Sequence, residues 1–419
     1  MKKWSKFAMS GLALVSVATL AACGNGGSSD SSEASSSSAS GDVKLKLWVP
    51  TDAKSSYTET VKAFEEANEG VSVEIIESND SKAQENVKKD PESAADVFSL
   101  PHDQLGQLIE SGVIQEIPEQ YATEVAENNV ENAVAGAQYQ GKTYAFPFGV
   151  ESQVLIYNKD LLSEEDVKSY ETITTKATFG ATFKEMNAYA TGPLMLSVGN
   201  TLFGEDGEDP AGTNWGNEAG VSVLQWIADQ NNNSGFVNLD PSNVISEFGS
   251  GKVAAFESGP WDYPAAVEAL GEDKVGVAAY PTIKIGDKEV QQKAFMGVKL
   301  YAVNQAPAGD NVDRIAAAYA LAAHLTSAES QANQFETRSI VPSNKDIQMS
   351  DAVTSNQLAQ AVTTMTSSTD YTVVMPKLSE MTFFWTEAQA LLADVYNGKI
   401  SSADYLARLQ QFDQDVAGK

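Results

Sequence analysis

The stretch from Val43 to Ile76, "VKLKLWVPTDAKSSYTETVKAFEEANEGVSVEII", decides the fold class. Val43, Leu45, Leu47 and Val49 alternate with other residues, the period of a strand. After "PTDAKSS" the period changes: Val61 and Phe64 are three apart, as on one face of a helix, and Gly70 closes the pattern. "VSVEII" then returns to strand character. Strand, helix and strand at this spacing open an α/β unit with a largely parallel sheet. The unit repeats: Asp96 to Leu100 reads as a short strand, and "HDQLGQLIESG" after Pro101 as a helix ending at Gly112.

Upstream, the composition is different. Lys2, Lys3 and Lys6 precede an apolar run from Phe7 to Ala22, shorter than the roughly 20 residues that cross a bilayer. This is the pattern of an export signal, expected over residues 1–22. Cys23, the sole cysteine of 419 residues, follows directly, so no disulfide can form within the chain. Its placement resembles the lipobox of bacterial lipoproteins, which implies cleavage before Cys23 and lipid on its sulfur. Gly24 to Asp42 is nearly all Ser and Gly with acidic residues between, and has nothing to bury. Residues 23–42 are therefore expected to be a lipidated cysteine and a tether.

Downstream, "QYQGKTYAFPF" reads as a hairpin about Gln140-Gly141, and "VESQVLIYNKDLL" leads a strand into a new region. Further helices are expected at "VSVLQWIADQ", at Ile315 to Thr326 and at "TEAQALLADVYNG". A last helix follows Ser401, with Leu406, Leu409, Phe412 and Val416 on one apolar face. Phe295 to Val303 reads as a strand. About 375 residues beyond the tether are enough for two domains.

Composition excludes several functions. A formal charge of −29, spread along the chain, repels phosphate backbones, so no nucleic-acid partner is expected. No GxGxxG or Walker loop stands at a strand-to-helix junction, and no cofactor is expected. His102 and His324 lack any metal-ligand spacing, and His102 reads as a surface or helix-start residue. Glu205, Asp206, Glu208 and Asp209 miss the EF-hand spacing and read as a solvated acidic loop, so no metal is expected. A secreted glycosidase needs two placed carboxylates, and no motif marks such a pair among the 57 acidic residues.

Aromatic residues at segment edges point to sugar instead. Tyr189 in "NAYATGP", Trp261 in "ESGPWDYP" and Phe384-Trp385 in "MTFFWTEAQ" stand beside Gly, Pro or polar residues. Flat faces there can stack on sugar rings while amides and carboxylates meet hydroxyls; the alternative is ordinary packing.

With "YQGKTYAFPFGVESQVLIYNKDLL", "ATFGATFKEMNAYATGP", "FGSGKVAAFESGPW", "QQKAFMGVKLYAVN" and "MPKLSEMTFFW", the chain resembles extracellular solute-binding proteins of the family 1 type. Within these it is similar to the maltose/maltodextrin-binding lipoproteins of Gram-positive ABC importers, streptococcal ones above all. The resemblance implies an α/β, two-lobed periplasmic-binding-protein-like fold of type II, with a sugar cleft between lobes and hinge crossings. The N-terminal lobe would comprise 43–149 plus 301–350, and the C-terminal lobe 154–295 plus 355–419. Crossings would fall near Gly149 to Val154, near Met296 to Tyr301 and around residues 347 to 355.

Carried over by residue, the resemblance implies ligand-binding roles for Asp52, Lys54 or its neighbour, Asp103, Glu151, Asn187, Tyr189, Trp261, Phe384 and Trp385. Leu100, Gln104 and Asn187 depart from the Gram-negative maltose-binding pattern, which has tryptophan, arginine and glutamate there. Loss of a platform and a bidentate donor implies a preference for longer α-1,4-linked chains over maltose. The implied partners are maltodextrin, an ABC permease pair with its cytoplasmic ATPase, and the cell membrane through the lipid anchor; a monomer is expected. Another oligosaccharide, or a lipid-anchored α-glucan hydrolase, remains the alternative.

Overall fold

The computed structural model describes residues 42–205 and 207–417; Cys23, the tether up to residue 41 and Asp206 lie outside them. Along the chain the strands are β1 (Val43–Val49), β2 (Val71–Glu77), β3 (Val97–Pro101), β4 (Gln138–Tyr139), β5 (Lys142–Thr143), β6 (Phe146–Ser152) and β7 (Val154–Asn158). They continue as β8 (Phe179–Ala181), β9 (Phe236–Asn238), β10 (Ala255–Ser258), β11 (Val275–Ala278), β12 (Thr282–Ile285), β13 (Lys288–Gln291), β14 (Ala294–Val303) and β15 (Thr372–Val374).

The opening stretch forms the expected unit. β1 and β2 pair in parallel from Val43↔Val71 to Val49↔Glu77. The helix between them, Lys54–Ala67, buries Tyr57, Val61 and Phe64, three side chains on one face. Asn68 caps its end by donating to the Phe64 carbonyl, and Gly70 turns the chain at a φ of 87° that a glycine adopts without strain.

Two sheets result. The larger has the order β2-β1-β3-β14-β15, with β6 also on β14. The smaller has the order β11-β7-β10-β8-β9. The hairpin β4–β5 turns through Gln140 and Gly141, both at positive φ, as a two-residue turn requires. The chain passes from the larger sheet to the smaller one within a single residue, Gln153, between β6 and β7. β14 runs back through the larger sheet, antiparallel to both β6 and β3. Beyond residue 355 the chain does not simply stay with the smaller sheet: β15 pairs in parallel with Ala294 to Met296 of β14.

The apolar pattern of the C-terminal helix needs a correction. In Tyr405–Val416 the buried residues are Tyr405, Leu409, Phe412 and Val416. Leu406 is 42% exposed, because the buried face begins one residue earlier, at Tyr405. Helix Val312–Leu325 buries Ala318, Tyr319, Leu321, Ala322 and Leu325, and its His324 meets the Thr60 carbonyl through Nε2 at 2.9 Å. Among the described residues, no helix is long and apolar enough to cross a membrane.

Candidate functional site: a carboxylate edge facing an aromatic cluster

Parallel strands β1 and β3 end at the same edge of the larger sheet, so the segments after them, Pro50–Ala53 and His102–Gln104, lie side by side. In open α/β sheets this carboxyl edge is where ligands collect. Here the antiparallel strands β6 and β14 reach it too. Gly297 stands opposite Glu151 and Gly149 opposite Lys299, so each charged side chain faces a residue without one. Both can lean across the diagonal, where Lys299 Nζ meets Glu151 Oε2 at 2.7 Å. A Cβ on Gly297 would fall 2.8 Å from Glu151 Cγ, so only glycine leaves the carboxylate its place. Burial presses the Lys299 ammonium down, but the Glu151 carboxylate outweighs it and holds the group above the ordinary lysine value.

Asp103 follows β3 at this edge. Burial pushes its carboxyl up to about 6, with the neighbouring Glu151 adding in the same sense. Its Oδ1 is buried and meets no protein donor among the described residues. His102 beside it is fully buried, so the surface reading from sequence is corrected. Its Nε2 meets the Met375 carbonyl at 3.0 Å, while Nδ1 accepts from the Val298 N–H at 3.1 Å. Burial first, then Lys377, lowers its pKa to about 3. A neutral ring that donates on one side and accepts on the other clamps Asp103 to β14 and to the segment after β15.

The aromatic side is built on Tyr189. Its ring lies 6.3 Å from Trp261, 6.4 Å from Trp385 and 5.9 Å from Phe295, centroid to centroid. Its hydroxyl is buried without a partner among the described residues. Burial, then Glu151 and Asp103, raise its pKa well above the ordinary tyrosine value. Tyrosine and carboxylates that sequence separates by more than 35 positions thus share one site. An unpartnered buried hydroxyl and carboxylate oxygen each cost stability that a ligand hydroxyl would restore.

Trp261 is 51% exposed, and a Cβ on Gly259 would fall 2.1 Å from its ring carbons. The "SGPW" turn therefore folds the indole back over bare backbone, leaving the opposite face open. Trp385 is partly buried against Phe295 and Phe384.

Phe384 is withdrawn from the site. It is fully buried, edge-on to Trp215, Phe295 and Phe412, because helix Met381–Tyr396 points Met381, Phe384 and Ala388 inward together. Leu100 is likewise core, paired with Leu300, and offers no platform. Asn187 caps the short helix that carries Tyr189, its side chain accepting from the Tyr189 N–H at 2.9 Å. Asp52 and Lys54 lie at the carboxyl edge but are exposed, Asp52 with a φ of 62°. Among the described residues no hydrogen bond joins either side chain to the aromatic cluster.

Sequence reasoning missed Lys299, Phe295 and Glu257. Lys299 and Phe295 lie in "QQKAFMGVKLYAVN", whose alternation from Phe295 through Gly297 to Lys299 puts all three on one strand face. Glu257, in "FESGPW", is pushed up to about 7 by burial, against the opposing effect of hydrogen bonds to Gln292 and Tyr280. The Gln292 Nε2 donates to its Oε1 at 2.7 Å, and the Tyr280 hydroxyl donates to Gln153, the crossing residue, at 3.2 Å. A cavity of about 790 Å³ lies apart from these aromatics, among Asn132, Asn200, Glu208, Lys293 and Lys377. Among the described residues, no group of three or more potential ligands could hold a metal ion.

Residues 59–361 match the family model described as bacterial extracellular solute-binding protein. The chain belongs to this family. It is 27% identical to a galactooligosaccharide-binding protein of Bacillus subtilis, over 100% of this chain and 97% of that one. It is 26% identical to a maltooligosaccharide ABC transporter solute-binding lipoprotein of Streptococcus pneumoniae, over 94% of each. Among solved structures, a maltodextrin-binding protein from L. casei BL23, without ligand, superposes with a TM-score of 0.85 at 35% identity, covering 90% of this chain and 99% of that one. The two sheets are thus the cores of a two-lobed, type II periplasmic-binding fold. Members of this family that the chain resembles are binding proteins of ABC transporters, and an extracellular sugar-binding role follows.

Proposed function

We propose that this solute-binding protein captures maltodextrins, α-1,4-glucans of three or more units, and hands them to an ABC permease without chemical change. The observation that carries this reading is the cluster of Tyr189, Trp261 and Trp385, which sets apolar faces beside the Asp103 and Glu151 carboxylates. Glucosyl rings present C–H faces to indole and phenol, and hydroxyls at their rims to carboxylates. Closure over the sugar makes contacts that an open form cannot, so ligand shifts the population towards closed, and the permease reads that state.

A second reading is favoured by one finding, the full-length likeness to a galactooligosaccharide-binding protein. Thermal shift across α-1,4-gluco- and β-galacto-oligosaccharides separates the two. Stabilisation by maltotriose and maltotetraose is expected; a response to β-galacto-oligosaccharides alone refutes the maltodextrin reading. Incubation with maltoheptaose should leave it intact, whereas shorter products would reveal a hydrolase.

The anchor belongs to the same proposal. Lipid on Cys23 holds the subunit at the outer face of the cell membrane. Cys23→Ser should release folded, binding-competent protein into the medium. Retention on washed membranes would refute the anchor.

A further inference from the structure

Lys299 is the cation that the carboxyl edge turns towards the ligand site. Its side chain is 21% exposed, and among the described residues the one acceptor its Nζ meets is Glu151 Oε2, at 2.7 Å. An ammonium carries three N–H groups, so two remain. Several neighbouring N–H groups already have protein acceptors. Gln104 Nε2 spends its two hydrogens on the Asp80 and Ser81 carbonyls, at 3.2 and 2.8 Å, and its Oε1 accepts from the Gln84 N–H at 2.8 Å. Arg338 Nη1 donates to Gln334 Oε1 at 3.0 Å and to the Tyr57 hydroxyl at 3.3 Å. Lys54 is exposed after the β1 turn, and its backbone N–H donates to Glu77 Oε1 at 3.1 Å. At this edge the Asp103 Oδ1, Glu151 and Asp80 carboxylate oxygens are acceptors, and Lys299 is a donor seated among them.

We propose that Lys299 is a specificity-determining residue of the cleft, donating to one hydroxyl of a sugar ring while Glu151 accepts from the adjacent hydroxyl. This rests on the sugar-capture reading above. A vicinal diol has two oxygens less than about 3 Å apart, each able to donate and to accept. A lysine and a carboxylate held 2.7 Å apart match that spacing with opposite hydrogen-bonding character. The fixed pair also explains its setting: bare backbone at Gly297 lets the Glu151 side chain lie across the strand towards Lys299, and Gly297 cannot take a Cβ without moving Glu151. Neutral ligands lose nothing to the pair's net charge of zero. A ring with only one of the two hydroxyls leaves a half-buried charged partner unmatched, which penalises it more than a lost surface contact would.

The test is calorimetric titration of maltotriose, and of maltose lacking one hydroxyl at each position in turn, against wild type, Lys299→Met and Lys299→Arg. Loss of tenfold or more in maltotriose affinity is expected for K299M, with partial recovery in K299R. One deoxy analogue should be penalised in wild type and no longer penalised in K299M. Because K299M also leaves Glu151 without its cation, the comparison is repeated between E151Q and E151Q/K299M, with urea unfolding of each to confirm a folded chain. Affinity within twofold of the matched background in that second comparison, or a deoxy penalty that persists in K299M, overturns the proposal. Wild-type binding of maltotriose is the separate check on sugar capture: if it binds and the lysine variants are neutral, Lys299 alone loses its role.

Discussion

Gly259→Ala tests the aromatic wall without touching any side chain of the site. The added methyl would sit 2.1 Å from two carbons of the Trp261 ring and 2.4 Å from a third, well inside van der Waals contact. The backbone there packs next to buried Ser258, so the indole, 51% exposed, is the group that yields. Moving an exposed ring costs the fold little, within about 1 kcal/mol. Binding should suffer as if the ring were gone. Removal of a stacking tryptophan from a binding site costs about 1–3 kcal/mol, roughly a 5- to 150-fold rise in Kd. The assay is calorimetric titration of maltotetraose against G259A, W261A and the double variant. If the glycine acts only by seating the indole, the double variant binds no worse than W261A, a coupling close to the full single-variant loss. Wild-type affinity in G259A, or losses that simply add, would refute the argument that bare backbone at 259 seats the indole.

Other perturbations follow from the same structure. Gly297→Ala, with its Cβ 2.8 Å from Glu151 Cγ, should displace the carboxylate and weaken maltotriose binding about tenfold in calorimetric titration. Glu257 has a native pKa of about 7 against an ordinary 4.5, so between those values the native state holds a proton that the unfolded state has released. Its burial therefore destabilises the protein above about pH 7 and ceases to do so as pH falls towards 4.5; Asp103, raised to about 6, acts in the same sense. Urea unfolding at pH 5 and pH 8 should show Glu257→Gln losing up to about 3 kcal/mol of the wild-type pH dependence, and an unchanged slope would refute the assignment. Arg314 holds the buried Asp96 carboxylate through Nε at 2.7 Å and Nη2 at 3.0 Å, with the Lys46 N–H as a third donor at 2.8 Å. Arg314→Leu should cost about 3 kcal/mol in chemical unfolding, since the carboxylate stays buried without its cation.

Local order was legible in the residues. The β1–helix–β2 unit, the Gln140-Gly141 turn and the helix ending at Gly398 each rest on short-range rules: side-chain period, the need for positive φ, and a cap. Site residues were legible where a local motif fixes them. Trp261 follows a Gly-Pro turn that presents it, and Tyr189 begins a helix capped by Asn187. Phe384 and Trp385 show the limit: adjacent on one helix, they differ by about 100° in direction, and a pattern of apolar residues does not say which of the two faces the core.

The chain by itself determined the strand and helix segments, the acidic surface that repels nucleic acid, and the family resemblance that names a sugar cleft. Only the tertiary structure decided that Tyr189 lies within electrostatic reach of Asp103 and Glu151, that His102 is a buried clamp, and that Lys299 reaches Glu151. The reason is the distance in sequence over which those contacts close. A cross-strand register between β6 and β14, about 145 residues apart, sets the Glu151–Lys299 pair. A hydrogen bond from His102 to Met375 spans 273 positions. Such contacts form where sheet register brings strands together, and no local period or spacing encodes a register.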